Sequence, residues 1–543
     1  MILSVVASLI NKSCQSGSVL AHRAGAVFAV LTLFTVCAPV VWAQTEGSWF
    51  GITLPPPLIP GEVPVAIGVR GPAPAVVPAG EEGFSNLEGE RLAQDLNAIV
   101  AVSHASRASQ ELGGNQMWGR VAGFPSGEDI TNWSAEQFRA AGISDVRVQQ
   151  FSQDADAVQW LPTSWQVTLL GDAAFGAGSG DVVLETAMAL APSEIPGGGL
   201  TAPIIYVGRA TAAEIMHMDV AGKIAIQHVT PQAHLVFERT PSVPRAQELM
   251  ARGAVAVVTM VDQPGNAMVR DFSNCGGPCF NLGGQDSNFL SAVMDAAALD
   301  GSFDQLRMRL EVASAEHTGL RASNAIAVIP GSSDETIVLN AHTDAWFDGA
   351  GDNGDGLAVL MGLARHFMQP GQQLNRTLVL VASAGHHTRG LNGPRNAVRM
   401  NPDLFDEALL IFNLEHVAQR NIAPARFLFE DGYRQFTADV GEAPIVVGIT
   451  NESAALQNLF TEGVQRYGTN FMSTESDMAS GEGGGYRSAG VPIVTTMQAP
   501  PLYHTSGEVE EVISIPGMER MARFMAFFVK QVDQLDIQQI GGR

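Results

Sequence analysis

Positive charge is scarce in this chain: 31 Lys and Arg against 55 Asp and Glu give a formal net charge of −24 over 543 residues. No basic stripe exists to neutralise phosphates, which argues against nucleic acid as a partner. The acidic balance is a solubility feature and names no substrate. Cysteine is scarcer still, with four residues. Cys14 and Cys37 fall in the N-terminal region, so Cys275 and Cys279, in the run NCGGPCF, are left for the folded part. Two thiols in a Gly/Pro turn suit a small disulfide loop, whereas structural zinc needs four ligands and no second Cys pair exists. The nucleophile elbow GxSxG of serine hydrolases is also missing, and no internal repeat is found.

The N-terminus reads as an address. Lys12, His22 and Arg23 precede an apolar stretch from Ala24 to Val41. Val41-Trp42-Ala43 then places small residues where a signal peptidase needs them, with Gln44 as the expected mature start. The apolar run is near the lower limit for a membrane span, so cleavage and export to a periplasmic or extracellular space are expected, with no stable span afterwards. A chain of this length holds two or three domains. Residues 44–82, rich in proline, glycine and valine, read as an extended leader. Residues 83–163 open the main domain, with a helical pattern near Leu87 to Val100, a helix carrying Trp133 and Phe138, and a strand from Val146 to Phe151. Residues 164–319 change texture to short strands between Gly turns with one helix, Arg245 to Arg252, and read as a β-rich insert. Residues 320–543 alternate strands with helices, which indicates a doubly wound α/β fold with a mostly parallel sheet.

The chemistry concentrates in TIVLNAHTDAWFDGAGDNGDGLAVLMGLARHF, from Thr336 to Phe367. A buried strand, an acidic glycine-rich turn and an amphipathic helix follow one another there. Gly349-Ala-Gly351-Asp-Asn-Gly354 spells GxGxxG, but the nucleotide reading fails. The glycines start well past the strand end, Asp352 would repel a pyrophosphate, and the next strand ends without an acid for a ribose. A metal site fits better. His342 and Asp352 flank the turn, with Asp344 placed to orient His342, while Asp348 and Asp355 are expected to cap the helix and solvate the loop. His386 and His387 follow the run TLVLVAS, Glu415 and His416 follow ALLIFNL, and His504 follows PIVTT. Residues at the same edge of a parallel sheet converge in space.

HTD, DNGDG, NLEH, ESD with GVPIV, and YHT together resemble the di-zinc exopeptidases that include secreted aminopeptidases and glutamate carboxypeptidase, with a protease-associated insert over residues Ala202 to Ala298. The resemblance implies two zinc ions, one held by His342, Asp352 and Glu415, the other sharing Asp352 and taking His504. It gives Asp344 a supporting role behind His342, Asp477 a shaping role, and Tyr503 a hydrogen bond to a tetrahedral intermediate. One departure stands out. Where the family carries a Glu-Glu pair, as general base and second-zinc ligand, this chain has His386-His387, and no carboxylate occurs from Ala382 to Asn401. His387 can replace the ligand, since imidazole is a common zinc donor. His386 is then the candidate base, though two dications beside it would disfavour its charged form. The expected function is exopeptidase-like hydrolysis of a peptide or small amide, most simply at the N-terminal residue, by a metal-bridged water. The alternative is a catalytically weak or inactive metal-binding homologue that acts as a binding protein.

Overall fold

Apolar runs without polar alternation at positions 337–341, 378–382 and 408–414 demand burial on both faces of a sheet. The computed structural model, which describes residues 48–541 except 68–70, 115, 191, 196, 198, 231–241, 271–273, 431–432, 477–478 and 499–500, buries them that way. The expected signal segment, its cleavage site and Asp477 lie outside the described residues.

Eight strands form the main sheet: β1 (Asp145–Ser152), β2 (Arg321–Ile329), β3 (Ser333–His342), β4 (Arg376–Ser383), β5 (Ala408–Leu414), β6 (Ile445–Ile449), β7 (Phe471–Ser476) and β8 (Ile493–Met497), in the order β7-β6-β8-β5-β3-β4-β2-β1. Ile337, Leu339, Leu378, Leu380, Leu410 and Phe412 face one core, together with residues of several helices. These include α1 (Gly89–Ser109), α2 (Pro125–Ala140), α3 (Asp355–Phe367), α4 (Ala454–Tyr467) and α5 (Ile515–Val532). Val338, Val379, Val381 and Ile411 point the other way, onto a smaller core with Leu404, Phe405 and Tyr486. Two buried faces explain why polar residues do not alternate in these runs; the two that interrupt them bond each other, Asn340 Nδ2 donating to Asn413 Oδ1 at 2.7 Å.

The centre of the sheet is parallel: β3 pairs in parallel with β4 and β5, and β5 with β8. Their registers set His342 opposite Ser383 and Leu414 opposite Thr496, so all four carboxyl ends lie along one edge. The sheet is mostly parallel, as expected, with β7 parallel to β6, and its flanks also carry antiparallel pairs. Strand β2 is antiparallel to β4 and β1, and β6 is antiparallel to β8. Strand β7 and a hairpin of Arg420–Glu430 with Tyr433–Glu442 were not foreseen. Strand β7 is a polar edge strand, FMSTES, and Pro424 interrupts the apolar pattern of the hairpin.

The insert builds its own eight-stranded sheet between Gln159–Leu169 and Arg307–His317. It closes over a separate core that includes Trp165, Phe175, Val257, Phe280 and Phe289. Besides a helix at Ser242–Ala251 it carries a longer one, Gly284–Asp300, that the sequence reading passed over. Leu290, Val293 and Ala297, buried at helical spacing, were its signal. Cys275 and Cys279 are joined in a disulfide.

The leader is a strap rather than a free linker. Trp49 is buried in the insert core, stacked on Phe175 with ring centroids 5.2 Å apart. Leu58 donates its N–H to Glu185 Oε2 at 2.7 Å. Val65 then enters the core of the main domain, and Ala66–Ile67 pair with the Tyr433–Glu442 strand. The strap thus ties the insert to the main domain.

His366, near the end of α3, is fully buried with its ring edge-on to Phe84 at 4.7 Å. Burial first, then the charges of Lys530 and Arg523, push its pKa down to about 4. An unfolded ring titrates near 6.5, so the unfolded state binds the additional proton between those values. Stability therefore falls as pH drops from about 6.5 towards 4. Relative to His366→Leu, wild type is expected to lose roughly 2 kcal/mol of unfolding free energy between pH 7.5 and pH 5. Urea unfolding at the two pH values measures this, and a pH-independent gap between the proteins would rule out a neutral buried imidazole.

Candidate metal centre

The four parallel strand ends deliver four imidazoles to one carboxylate. Strand β3 ends on His342, and the turn after it returns Asp352 ahead of α3. The segment beyond β4 supplies His387, His416 lies two residues past β5, and His504 follows β8. Asp352 is buried, and its two oxygens divide the rings between them. His342 Nε2 and His416 Nε2 lie 3.2 and 2.9 Å from Oδ1. His387 Nε2 and His504 Nε2 lie 3.2 and 2.9 Å from Oδ2. In each of the trios His342, Asp352, His416 and Asp352, His387, His504, the ligand atoms are within 4.8 Å of one another.

The donor set fits a metal ion. His342 Nε2, His387 Nε2 and Asp352 Oδ2 are buried yet make no hydrogen bond, despite contact distances of 3.2 Å. Atoms close together but not aimed at one another are what convergence on a common ion produces. Two ligand atoms about 2.0–2.1 Å from one tetrahedral zinc stand roughly 3.3 Å apart.

Residues 324–529 match the family model described as peptidase family M28. That stretch belongs to peptidase family M28. Solved structures share the fold over most of the chain. A peptidase M28 precursor from Shewanella amazonensis has a TM-score of 0.58 at 18% identity, covering 82% of this chain and 96% of its own. A zinc aminopeptidase from Bacillus subtilis has a TM-score of 0.54 at 17% identity, covering 83% and 97%. An aminopeptidase from Aneurinibacillus sp. strain AM-1 has a TM-score of 0.50 at 18% identity, covering 82% and 94%. No curated protein matches the chain.

Several residues of the M28 domain stand differently from their expected places. Glu415 is in neither trio. Its Oε1 accepts Asn413 Nδ2 at 3.0 Å and the Glu482 N–H at 2.6 Å, and its other oxygen packs where a side chain at Gly481 would collide. His416, quoted in NLEH without a role, faces Asp352 instead. Asp344 does not orient His342 with its carboxylate. Its main-chain carbonyl lies 3.0 Å from His342 Nδ1, while its carboxylate accepts the N–H groups of Gly385, His386 and His387 at 3.0, 3.2 and 2.8 Å. One residue thereby fixes a ring of the first trio and the loop of the second.

Asp348 and Asp355 are buried rather than solvated. Asp348 accepts Trp118 Nε1 at 2.8 Å, and Asp355 Oδ2 accepts the N–H groups of Val417 and Ala418 at 3.0 and 2.7 Å. Arg120, which the sequence reading did not single out, is fully buried and donates to the carbonyls of Thr343, Asp348 and Gly349. It braces the turn from outside the M28 match.

Tyr503 is buried with its ring 3.6 Å from His504 and 5.1 Å from His416 by centroid. It packs against the His504 and His416 rings and is not among the residues lining the cavity. That cavity, about 590 Å³, opens beside His386 and His387. Glu482 and Arg389 line it from the M28 domain, Trp160 and Arg270 from the insert side.

Burial, the largest influence, opposes ionisation of Asp352, yet the surrounding imidazoles, His387 foremost, hold its carboxyl well below the usual range. Burial likewise opposes a charge on His386. Its hydrogen bond to Glu482 and the charges of Glu415, Glu482 and Asp352 outweigh that and raise it to about 10. Glu482 is the carboxylate missing from the 382–401 segment, brought in from a glycine-rich run more than ninety residues later. Its Oε2 accepts Ser383 Oγ at 2.7 Å, and its Oε1 lies 3.5 Å from His386 Nδ1.

Asp344→Ala removes the acceptor of three amides in the 385–387 loop. Zinc at the position facing Asp352 Oδ2 is expected to weaken by roughly 10- to 100-fold, with the other position less affected. Titration against a chelator resolves the two affinities, and equal losses at both would show that Asp344 does not act through this loop.

Proposed function

We propose that this chain is an exported, zinc-dependent exopeptidase-like hydrolase, most simply an aminopeptidase, acting on peptides or small amides. The observation that carries the reading is the division of the Asp352 oxygens between two pairs of imidazoles, within a stretch belonging to a peptidase family. A mononuclear or structural site has no need of a carboxylate shared in this way. His342, His416, His387, His504 and Asp352 would hold two zinc ions, which when bound supply acidity for a water and positive charge for a developing oxyanion.

The remaining work falls to the cavity wall. His386 stacks on His342 with centroids 4.5 Å apart and faces the cavity, so it is the side chain placed to receive a proton from a water. Two dications nearby would make it a poor acceptor. Glu482 offsets this by favouring the protonated ring, as the family's Glu base has no need to. Trp160 and Arg270 bring the insert into the cavity wall, which suits a substrate held between the two parts of the chain.

The binding-protein reading has one observation in its favour, the absence of any carboxylate in the segment that carries His386. Hydrolysis of an aminoacyl-anilide panel separates the two. Zinc-loaded wild type is expected to turn over at least one substrate and to stop with chelator. His386→Ala should lose roughly 10²- to 10⁴-fold while keeping its zinc. A zinc-loaded but inert wild type favours the binding reading, and a wild type that takes up no zinc removes both.

A further inference from the structure

We infer that the first metal position is completed by the imidazole of His416 and not by the carboxylate of Glu415, so that the centre holds its ions with four histidines and one shared carboxylate. The inference deepens the reading of the site as a zinc centre and rests on it. Two adjacent residues compete for the position, and the backbone decides between them. His416 has φ +47°, in the left-handed region that side-chain-bearing residues rarely adopt, and this turns its ring towards Asp352. His504 has φ +55°, so two of the four imidazoles reach the centre by the same device.

His416 is also oriented as a ligand needs. Its Nδ1 lies 2.9 Å from the Gln498 carbonyl, which can only accept, so Nε2, 2.9 Å from Asp352 Oδ1, is the ring atom left to bind an ion shared with that oxygen. His342 repeats the arrangement on the same oxygen, with Nδ1 3.0 Å from the Asp344 carbonyl. The N–H of His416 is held in turn by Asn353 Oδ1 at 3.2 Å, one residue from the shared carboxylate.

One oxygen of Glu415 is engaged elsewhere, while the other, Oε2, is buried without a hydrogen-bond partner and packs against Gly481. Its Oε1 takes Asn413 Nδ2 and the Glu482 N–H, and its carboxylate fills space that only a glycine at 481 leaves open. Turning it to a metal would strip the Glu482 N–H of its acceptor and unsettle the carboxylate beside His386. The two assignments support each other: His416 on the metal lets Glu415 anchor Glu482.

Replacing two anionic donors of the resembled set by imidazoles, at His387 and His416, raises the formal charge of the loaded centre by two. Imidazole donors suit zinc, copper, nickel and cobalt, whereas magnesium, manganese and calcium favour oxygen. The centre should therefore discriminate strongly against the hard cations.

The test reads metal, not turnover. The full chain is stripped with chelator, reloaded with zinc, and assayed for metal content and affinity alongside His416→Ala and Glu415→Gln. Visible absorption after cobalt substitution reports the donor set. Wild type should bind two zinc ions per chain and keep them in excess manganese. His416→Ala should weaken one of the two by at least roughly 10- to 100-fold and alter the cobalt spectrum. Glu415→Gln should retain both ions and the wild-type spectrum. Loss of a zinc ion in Glu415→Gln, or its retention at full affinity in His416→Ala, overturns the assignment. If His416→Ala fails to fold, the Glu415→Gln spectrum decides alone. Failure of the hydrolase reading would appear separately, as an inert protein with both zinc ions bound.

Discussion

A carboxylate cannot be buried alone: removing it from water costs several kcal/mol that only close opposite charge or hydrogen bonds return. Asp352 is such a group, and much of the M28 domain is arranged to keep it charged in place. Its loop is held by the Arg120 guanidinium through three carbonyls, and by Asn353, which donates Nδ2 to the Leu414 carbonyl at 2.7 Å and accepts the His416 N–H. Asp355, one turn on, caps Val417 and Ala418. The Asn353 and Asp355 bonds join the β3 turn to the end of β5, while Arg120 braces it from the short strand Gly119–Arg120. The positions of His342 and His416 follow from them, because each ring needs its carboxylate oxygen and its carbonyl at once.

This constraint explains which parts of the site could be read in advance. The convergence of His342, His387 and His504 on Asp352 was legible because a parallel sheet gathers its carboxyl ends, and the apolar runs before them mark strands buried on both faces. The choice between Glu415 and His416 was beyond that reasoning. Adjacent residues leave a strand end on opposite sides, and a left-handed φ at one of them reverses which points inward. No pattern of residue types encodes that sign. The role of Asp344 was half legible. Its nearness to His342 was plain, but its carboxylate turned to three amides whose positions depend on the packing of two strands.

Glu482 shows a different limit. It follows no strand, and GEGGGYR reads as a turn with nothing to distinguish its acid from any other. It reaches His386 because the segment Gly481–Ala489 packs across the ends of β5 and β8, with Tyr486 buried and its hydroxyl donating to Asn340 Oδ1 at 2.8 Å. The leader was underestimated for a similar reason. Proline and glycine exclude a helix, but they do not exclude a fixed extended path, and Trp49 had enough apolar surface to pin one end. Strand β7 was missed because it is a short, polar strand at the sheet edge, so its alternation is weak.

The losses and gains of carboxylate around the centre are better understood together than singly. Exchanging a Glu-Glu pair for His386-His387 would leave a proton acceptor facing two dications without an anion to support it. Placing His416 on the metal removes a further negative charge from the centre, yet it releases Glu415 to hold the Glu482 main chain. Glu482 then stands behind His386, on the cavity side. On the proposed assignment, negative charge would move from the ligand positions to the ring beside them. Such a centre attracts anions more strongly at its open positions, while the basicity of the acceptor is set by a carboxylate that is not a ligand. In the family's arrangement one segment supplies both base and ligand; here the same segment supplies two imidazoles, and the anion that tunes one of them comes from Gly481–Ala489.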